Sequence, residues 1–513
     1  MLLHELVETS RAVAETRART GKIESLAGLL RALRPAEVPV AVAFLSGTLE
    51  RLGVGFASLR ELPEPTAEPG LELLDVSASL ERLGTLSGQG SQAARRAALA
   101  DLFGRATEAE QRFLQRLLYG ELRQGANEGV MVEAVARAAE LPAGEVRRAT
   151  MLAGRIDEVA RVALTEGPDG LAGFGLELFR PVKPMLAGTA PDIAAALERT
   201  GVAALEWKLD GARLQVHRQG DTVRAYTRSL AEVTDRVPEI VTAVRALPVD
   251  AVVLDGEVIA LRPDGRPHPF QVSMSRFGSS GEGSTVPLSP FFFDCLHADG
   301  EDLLDQPASE RTTVLERVVP AEQRTERLVT GDPAEASAFL ERALAHGHEG
   351  VMVKALDGAY EAGRRGGVWL KVKPARTLDL VVLAAEWGHG RRQGWLSNLH
   401  LGARDAEGGG FVMLGKTFKG MTDAMLAWQT EHLLGLATER DEHVVRVRPE
   451  LVVEIAFEGV QSSSRYPGRV ALRFARVKGY RPDKRAEDAD TIATIRAVHE
   501  GDPEGPSGDG GYR

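Results

Sequence analysis

The sequence holds one cysteine, Cys295, among 513 residues. A lone thiol excludes an internal disulfide framework and a cysteine-built zinc site. No apolar run approaches the roughly 18 residues that a membrane-crossing helix needs, and Met1 to Glu8 lacks the basic-then-apolar order of a secretory signal. These absences predict a cytoplasmic chain with no membrane contact. Positive charge is also in short supply, with 62 Lys and Arg against 73 Asp and Glu and a net charge of −11. That balance argues against nucleic-acid binding by bulk attraction. Charges more than about 8–10 Å apart are screened at cellular salt, so a basic groove can coexist with an acidic surface. What is present, 43% apolar and 26% charged residues, is the composition of a globular protein. The length predicts roughly two to four domains.

The most specific stretch is Glu206-Trp207-Lys208-Leu209-Asp210-Gly211-Ala212-Arg213. Apolar residues from Val202 to Leu205 predict a strand, Asp210-Gly211 a sharp turn, and Arg213-Leu214-Gln215-Val216 a returning strand. A lysine where a strand meets a turn is either a surface side chain lying along a hairpin or a functional amine. A nucleophilic lysine must first lose its proton. From an ordinary pKa of about 10.4, holding it neutral at pH 7 costs about 4–5 kcal/mol, and partial burial and nearby cations lower that cost. Lys371 and Lys373 alternate across one residue in Trp369-Leu370-Lys371-Val372-Lys373, so they face one side of a strand and can supply such a field.

Taken in order, the chain reads as helices from Leu2 to about Arg180. Leu26, Leu29, Leu30 and Leu33, and Phe113, Leu114, Leu117 and Leu118, show helical spacing. Within this region the segment Gly120 to Gly129 brackets a helix start with glycines, a place where backbone N–H groups can meet a phosphate. Gly170 to Phe179 makes a linker, and Arg180 to Ala187 opens a region of short β-rich runs alternating with helical pieces, an α+β domain on antiparallel sheets. After Pro374 the strands become denser, around one helix over Thr422 to Leu436, which suits a small Greek-key barrel of the OB type. The expected boundaries are 1–175 for the helical domain, 180–374 for the α+β domain, 377–495 for the barrel and 499–513 for a disordered tail.

Ordered blocks follow Lys208: Leu254-Asp255-Gly256-Glu257, Phe293-Asp294, Glu349-Gly350-Val351-Met352-Val353-Lys354, Trp369 to Lys373, and a basic segment from Arg473 to Lys484. Together with Lys-x-Asp-Gly-x-Arg at Lys208 to Arg213, this set resembles the covalent nucleotidyltransferases. Among them it is most similar to the ATP-dependent DNA ligases of bacterial and archaeal type, over about Glu128 to Lys484. The resemblance implies a helical DNA-binding domain, an adenylation domain and an OB-fold domain. It implies that Lys208 takes AMP from ATP, passes it to the 5′-phosphate of nicked double-stranded DNA, and that the 3′-hydroxyl then displaces it. It also implies that Glu206 reads the adenine, that Phe293 stacks on it, and that Arg213, Arg228 and Arg365 approach the ribose, nucleotide or nick phosphate. Lys371 and Lys373 would contact the α-phosphate, and Arg473 the leaving pyrophosphate. Glu349 and Glu257 are the candidates for Mg²⁺, with Mn²⁺ as a substitute, and Glu257 also for a ribose hydroxyl. Asp210 and Asp255 are expected to shape turns. Ala475 stands where the family has proline, and Lys478-Gly479 interrupts the later arginines, so the residues of that basic segment are less defined than the segment itself. The expected protein is a monomeric ligase serving repair, replication or recombination. An RNA ligase or capping guanylyltransferase of the same superfamily, and a non-catalytic DNA-binding scaffold, remain the alternatives.

Overall fold

The computed structural model describes residues 1–47, 59, 62–86, 88, 90–122, 124–277, 286–361, 365–374 and 376–500. Among them, ten α-helices run between Leu3 and Ala172. The expected periodicity is the buried face: Leu26, Leu29 and Leu30 lie inward on the helix Arg19–Ala32, and Phe113, Leu114 and Leu117 on Glu108–Leu118. The latter helix starts at a capping box. The Glu110 carboxylate accepts the Thr107 N–H at 2.8 Å, and the Thr107 hydroxyl accepts the Glu110 N–H at 3.4 Å. At the Gly120 to Gly129 segment, Asn127 caps the helix Glu128–Ala139 by accepting the Val130 N–H at 3.1 Å. Gly120 and Gly125 each take φ of +69°, the left-handed turn conformation that glycine permits.

Two five-stranded sheets follow. The first contains β1 (Leu186–Thr189), β2 (Ala203–Lys208), β8 (Arg327–Thr330), β9 (Gly350–Ala355) and β10 (Arg365–Val372), in the order β1-β10-β9-β2-β8. The second contains β3 (Ala212–Gln219), β4 (Thr222–Thr227), β5 (Ala251–Ala260), β6 (Leu288–Ala298) and β7 (Glu301–Asp302), in the order β4-β3-β5-β6-β7. Pairing is antiparallel except between β1 and β10, which run parallel. The turn at Asp210-Gly211 is therefore not the tip of a hairpin. It carries the chain from β2 in one sheet to β3 in the other, because Glu206 and Lys208 pair with β9 while Arg213 pairs with β5.

The C-terminal domain begins with the twelve-residue β11 (Arg376–Trp387). It continues with β12 (Leu396–Arg404), β13 (Phe411–Thr417), β14 (Ala437–Arg440), β15 (Val444–Val447), β16 (Val452–Phe457), β17 (Gly459–Ser462), β18 (Val470–Arg473) and β19 (Arg476–Tyr480). β11 pairs with β12 along one edge and with β15 and β16 along the other. The expected closed barrel is not what the pairing gives. Five strands run in the order β13-β12-β11-β15-β14, β16 and then β19 branch from β11, and β17–β18 stands apart as a two-stranded hairpin. The expected helix appears at Asp423–Gly435, and a last helix spans Ile492–Glu500. Of the expected tail 499–513, His499 and Glu500 instead close that helix, and Gly501 onward lies outside the described residues. No helix among those described is long and apolar enough to cross a membrane.

One core crosses the boundary between the helical and two-sheet domains. Met151 and Leu152 of the helical domain pack with Val182, Met185, Leu304, Tyr360 and Trp369. The segment between the domains is strapped to β3. Gln215 accepts the Val182 N–H at 2.7 Å and donates to the Val182 carbonyl at 3.0 Å, while the Phe179 N–H donates to His217 Nδ1 at 2.9 Å.

Candidate active site

A cavity of about 1000 Å³ opens between the two sheets, and every expected site residue except Arg365 lines it: Glu206, Lys208, Arg213, Arg228, Glu257, Phe293, Glu349, Lys371, Lys373 and Arg473. The Arg365 side chain lies outside the described residues. Strand alternation explains the grouping. Glu206 and Lys208 share a face of β2, while Trp207 packs behind it, its ring centroid 4.9 Å from those of His346 and His348. Glu206 pairs in register with Met352, and Lys371 sits opposite Met352 on the far side, so one row crosses three strands. Lys208 faces Gly350. A Cβ at Gly350 would lie 2.3 Å from the Val372 carbonyl oxygen, and one at Gly211 would lie 2.3 Å from that of Val258. Both motif glycines are therefore required by close backbone approach.

At the mouth of β2, Lys208 Nζ lies 2.5 Å from Glu349 Oε2, and Lys373 Nζ lies 2.6 Å from the same oxygen. That oxygen is buried, and the two ammonium groups together neutralise it. Lys373 also lies 3.5 Å from Glu458 at the start of the β17–β18 hairpin. From the same hairpin, Arg473 Nη1 donates to Asp210 Oδ2 at 2.8 Å, and its guanidinium sits 4.3 Å from the centre of the Phe270 ring. Asp210 is thus an ion-pair partner as well as a turn former.

Deeper in, Glu206 lies 2.5 Å from Lys354 Nζ. Lys354 also sits over the rings of Phe293 and Trp369, at 4.7 and 4.4 Å from their centres. Asp255 is not a turn residue: it is buried in the middle of β5 and holds Arg213 through two parallel bonds of 2.9 and 2.5 Å. Arg213 further donates to the Met185 carbonyl at 2.7 Å and to Tyr360 Oη at 3.3 Å, and Tyr360 donates to Asp255 at 2.7 Å. Its guanidinium is engaged as a strut of the cavity wall. Glu257 lies within β5 instead of at a strand end, and burial pushes its carboxyl up to about 7 despite the nearby charge of Lys208.

Three family models match this chain: "ATP dependent DNA ligase domain" over 184–373, "ATP dependent DNA ligase C terminal region" over 392–484 and "DNA ligase N terminus" over 53–136. A "Probable DNA ligase" of Anaeromyxobacter sp. (strain Fw109-5) is 60% identical over 97% of this chain and 98% of its own. The chain belongs to the ATP-dependent DNA ligases. A "Probable DNA ligase" of Mycolicibacterium gilvum (strain PYR-GCK) is 58% identical over 98% of the present ligase and 99% of its own chain. A solved structure described as "Pmar-Lig_Pre." shares the fold, with a TM-score of 0.63 at 19% identity over 93% of this ligase and 99% of that chain.

The ligase differs from expectation in the charge state of its central amine. Burial pushes the Lys208 amine down, as expected, but Glu349, Glu257 and Asp210 outweigh it and hold the pKa above the ordinary lysine value. The expected cationic neighbour, Lys373, instead shares Glu349. Burial would push the Glu349 carboxyl up, yet Lys208 and Lys373 together hold it down. The basic segment of the ligase also divides. Arg473 reaches the cavity, whereas Arg481 and Lys484 pair with Asp379 at 3.1 and 2.5 Å, beside the start of β11, and line no part of it. Sequence reasoning passed over Trp369, Tyr360 and the role of Lys354. Trp369 had a usable signal, since it alternates with Lys371 and Lys373 and so shares their face.

Proposed function

We infer that this ligase seals nicks in duplex DNA through a lysyl-AMP on Lys208, in the three steps set out for its family. The observation that carries this reading is the position of Lys208. The amine stands at the floor of a cavity between two sheets, in contact with Glu349 and in reach of Arg473 and Lys373 through shared carboxylates. The cavity has a nucleoside end and a phosphate end. Glu206, held by Lys354, faces the purine edge, and Phe293 with Trp369 offers aromatic surface beside it. Lys371, Lys373 and Arg473 supply positive charge around Lys208, where an α-phosphate must lie for attack. Arg213 keeps the wall rigid, Arg228 stands exposed at the rim, and Arg365 stays assigned to the nucleotide.

Glu349 holds Lys208 in its protonated form, so the amine becomes a nucleophile only when that carboxylate is otherwise engaged. The donor set fits Mg²⁺. Carboxylates of Glu349, Glu257 and Asp210 all act on Lys208, and Glu349 Oε2 is a hard donor shared between two ammonium groups. Among the described residues no preformed group of three or more ligating side chains exists. Glu349 and Glu257 would hold such a hard ion, which keeps water and takes phosphate oxygens, with Mn²⁺ able to replace it. When bound, such an ion neutralises phosphate charge. Catalysis is otherwise positioning and charge neutralisation, as for phosphoryl transfer in general.

The working division is 1–175 for DNA binding, 180–374 for adenylation and 377–495 for a C-terminal domain of OB type, acting as a monomer in the cytoplasm. Intact mass after incubation with ATP and Mg²⁺ tests the reading. One added AMP is expected, lost on adding nicked duplex DNA and absent in Lys208→Ala. Full sealing activity in that variant would overturn the proposal. Adduct formed with GTP instead, or discharge only onto nicked RNA, would move the chain to another branch of the superfamily.

A further inference from the structure

The carboxylate that meets Lys208 is delivered by a helix end. The helix Pro333–Ala345 stops where Gly347 takes φ of +85°. The Gly347 N–H donates to the Leu344 carbonyl at 2.9 Å, and the His348 N–H reaches back to the Ala343 carbonyl at 3.0 Å. These two bonds are those of a Schellman stop, with glycine at the left-handed position, so the helix fixes the backbone of His348. Glu349 follows at once, and Gly350 opens β9.

His348 is buried and lies behind β2, its ring centre 4.9 Å from that of Trp207 at an interplanar angle of 38°. Phe339 of the same helix, fully buried, stands 6.3 Å from the Trp207 ring. Burial, with His346 adding to it, pushes the His348 pKa down to about 4, so the imidazole meets Trp207 as a neutral ring and brings no charge to the site. Trp207 in turn sits between Glu206 and Lys208, whose side chains leave β2 on the cavity face. One aromatic contact behind the sheet therefore joins the residue before the nucleophile to the residue before its carboxylate. The main chain ties the same pair, since the Glu349 N–H donates to the Lys208 carbonyl at 3.0 Å. Lys208 and Glu349 are located twice, by backbone and by rings one position upstream of each.

We propose that His348 is a positioning residue, which through its stack on Trp207 fixes the line on which the Lys208 amine and the Glu349 carboxylate meet, and with it the approach of the amine to the α-phosphate. The inference rests on the ligase reading above. Neither ring belongs to the nucleoside end formed by Glu206, Lys354, Phe293 and Trp369, so loss of the stack should appear in the rate of attack and not in the affinity for ATP.

Adduct formation by the full-length enzyme with Mg²⁺, followed by rapid quench against ATP concentration, separates the two. His348→Leu and Trp207→Leu keep apolar volume without the flat contact, and His348→Phe keeps a ring. In either leucine variant the maximal rate should fall at least about tenfold, as for a slightly displaced reacting pair, with half-saturating ATP within about twofold of the wild type. His348→Phe should recover most of the wild-type rate. The double leucine variant should lose little more than either single one, because both remove the same contact. A wild-type maximal rate in His348→Leu overturns the proposal, as does a His348→Phe variant no faster than His348→Leu. Losses that multiply in the double variant, or a rise in half-saturating ATP with the maximal rate intact, overturn it as well. A wild-type chain that never takes AMP would end the ligase reading, whereas a wild type that takes AMP beside leucine variants that match it ends this inference alone.

Discussion

Glu349 holds two ammonium groups on a single buried oxygen, and the state of Lys208 depends on it. A carboxylate in this position holds the amine in its protonated form, and in the function proposed above it would be drawn off by the cation that comes with the nucleotide. Glu349→Gln keeps the shape and removes the charge. Formation of the AMP adduct should fall by about 100-fold or more, as for loss of one preorganised charged group. The unfolding temperature should fall, because the amide leaves the Lys208 and Lys373 ammonium groups without the buried carboxylate they share. Rapid-quench measurement of adduct formation beside a thermal melt checks both halves, and a variant that adenylates at the wild-type rate would contradict the role given to this residue. At this scale the sequence was informative. Lys208, Glu206 and Glu349 each sit beside a glycine or a strand alternation that fixes their direction. The sign of the Lys208 shift was misjudged, because ion pairing between side chains 141 positions apart leaves no mark on local pattern, and Asp255 was expected in a turn although it pairs with Arg213 from mid-strand.

Between elements, the strap from Phe179 to Val182 onto β3 depends on His217 being neutral. Its Nδ1 accepts the Phe179 N–H, so its Nε2 carries the proton toward Gln215 Oε1 at 2.9 Å. Burial pushes the His217 pKa down to about 3, with His297 adding to the effect. A histidine whose folded pKa lies below its unfolded value stabilises fully above the unfolded value, about 6.5. That stability is lost as pH falls from there toward 3, because the unfolded chain takes up a proton that the folded one refuses. Urea midpoints measured from pH 7 to 4 should therefore drop more steeply for the wild type than for His217→Gln, and parallel curves would remove the idea. Elements also show where the sequence stops being readable. Alternation and turn residues gave β2, β3, β5 and β9 their places. Nothing local said that β2 and β3 part into two sheets, since strand partners are set by packing remote in sequence. The same limit applies to Arg481 and Lys484, whose commitment to Asp379 arises from a strand start some hundred residues earlier.

For the whole molecule, the C-terminal domain is seated on the adenylation domain by the β17–β18 hairpin. Arg473 reaches Asp210 and Glu458 reaches Lys373. Gln271 exchanges two longer bonds of 3.3 and 3.4 Å with the Ser462 backbone. Such seating brings Arg473 to the Lys208 end of the cavity, and the proposed transfer to a nick requires a duplex to enter there, so the domain should swing about 373–378 between steps. Gln271→Cys with Ser462→Cys joined by a short bis-maleimide should retain adduct formation and lose transfer of AMP to nicked DNA. Sealing of nicks by the joined protein would rule the swing out. The native thiol will not interfere, since Cys295 is buried and burial pushes its pKa up to about 12.

The apolar patch shared by Met151, Leu152, Tyr360 and Trp369 makes the first two domains unequal to the last two as separable modules. The junction near 374 joins bodies with cores of their own, so recombination there transplants a finished unit. A cut near 180 would instead strip the rear support from the aromatic wall of the cavity. Gene fusions that keep the adenylation half while exchanging its helical neighbour would then need to bring a matching patch with them.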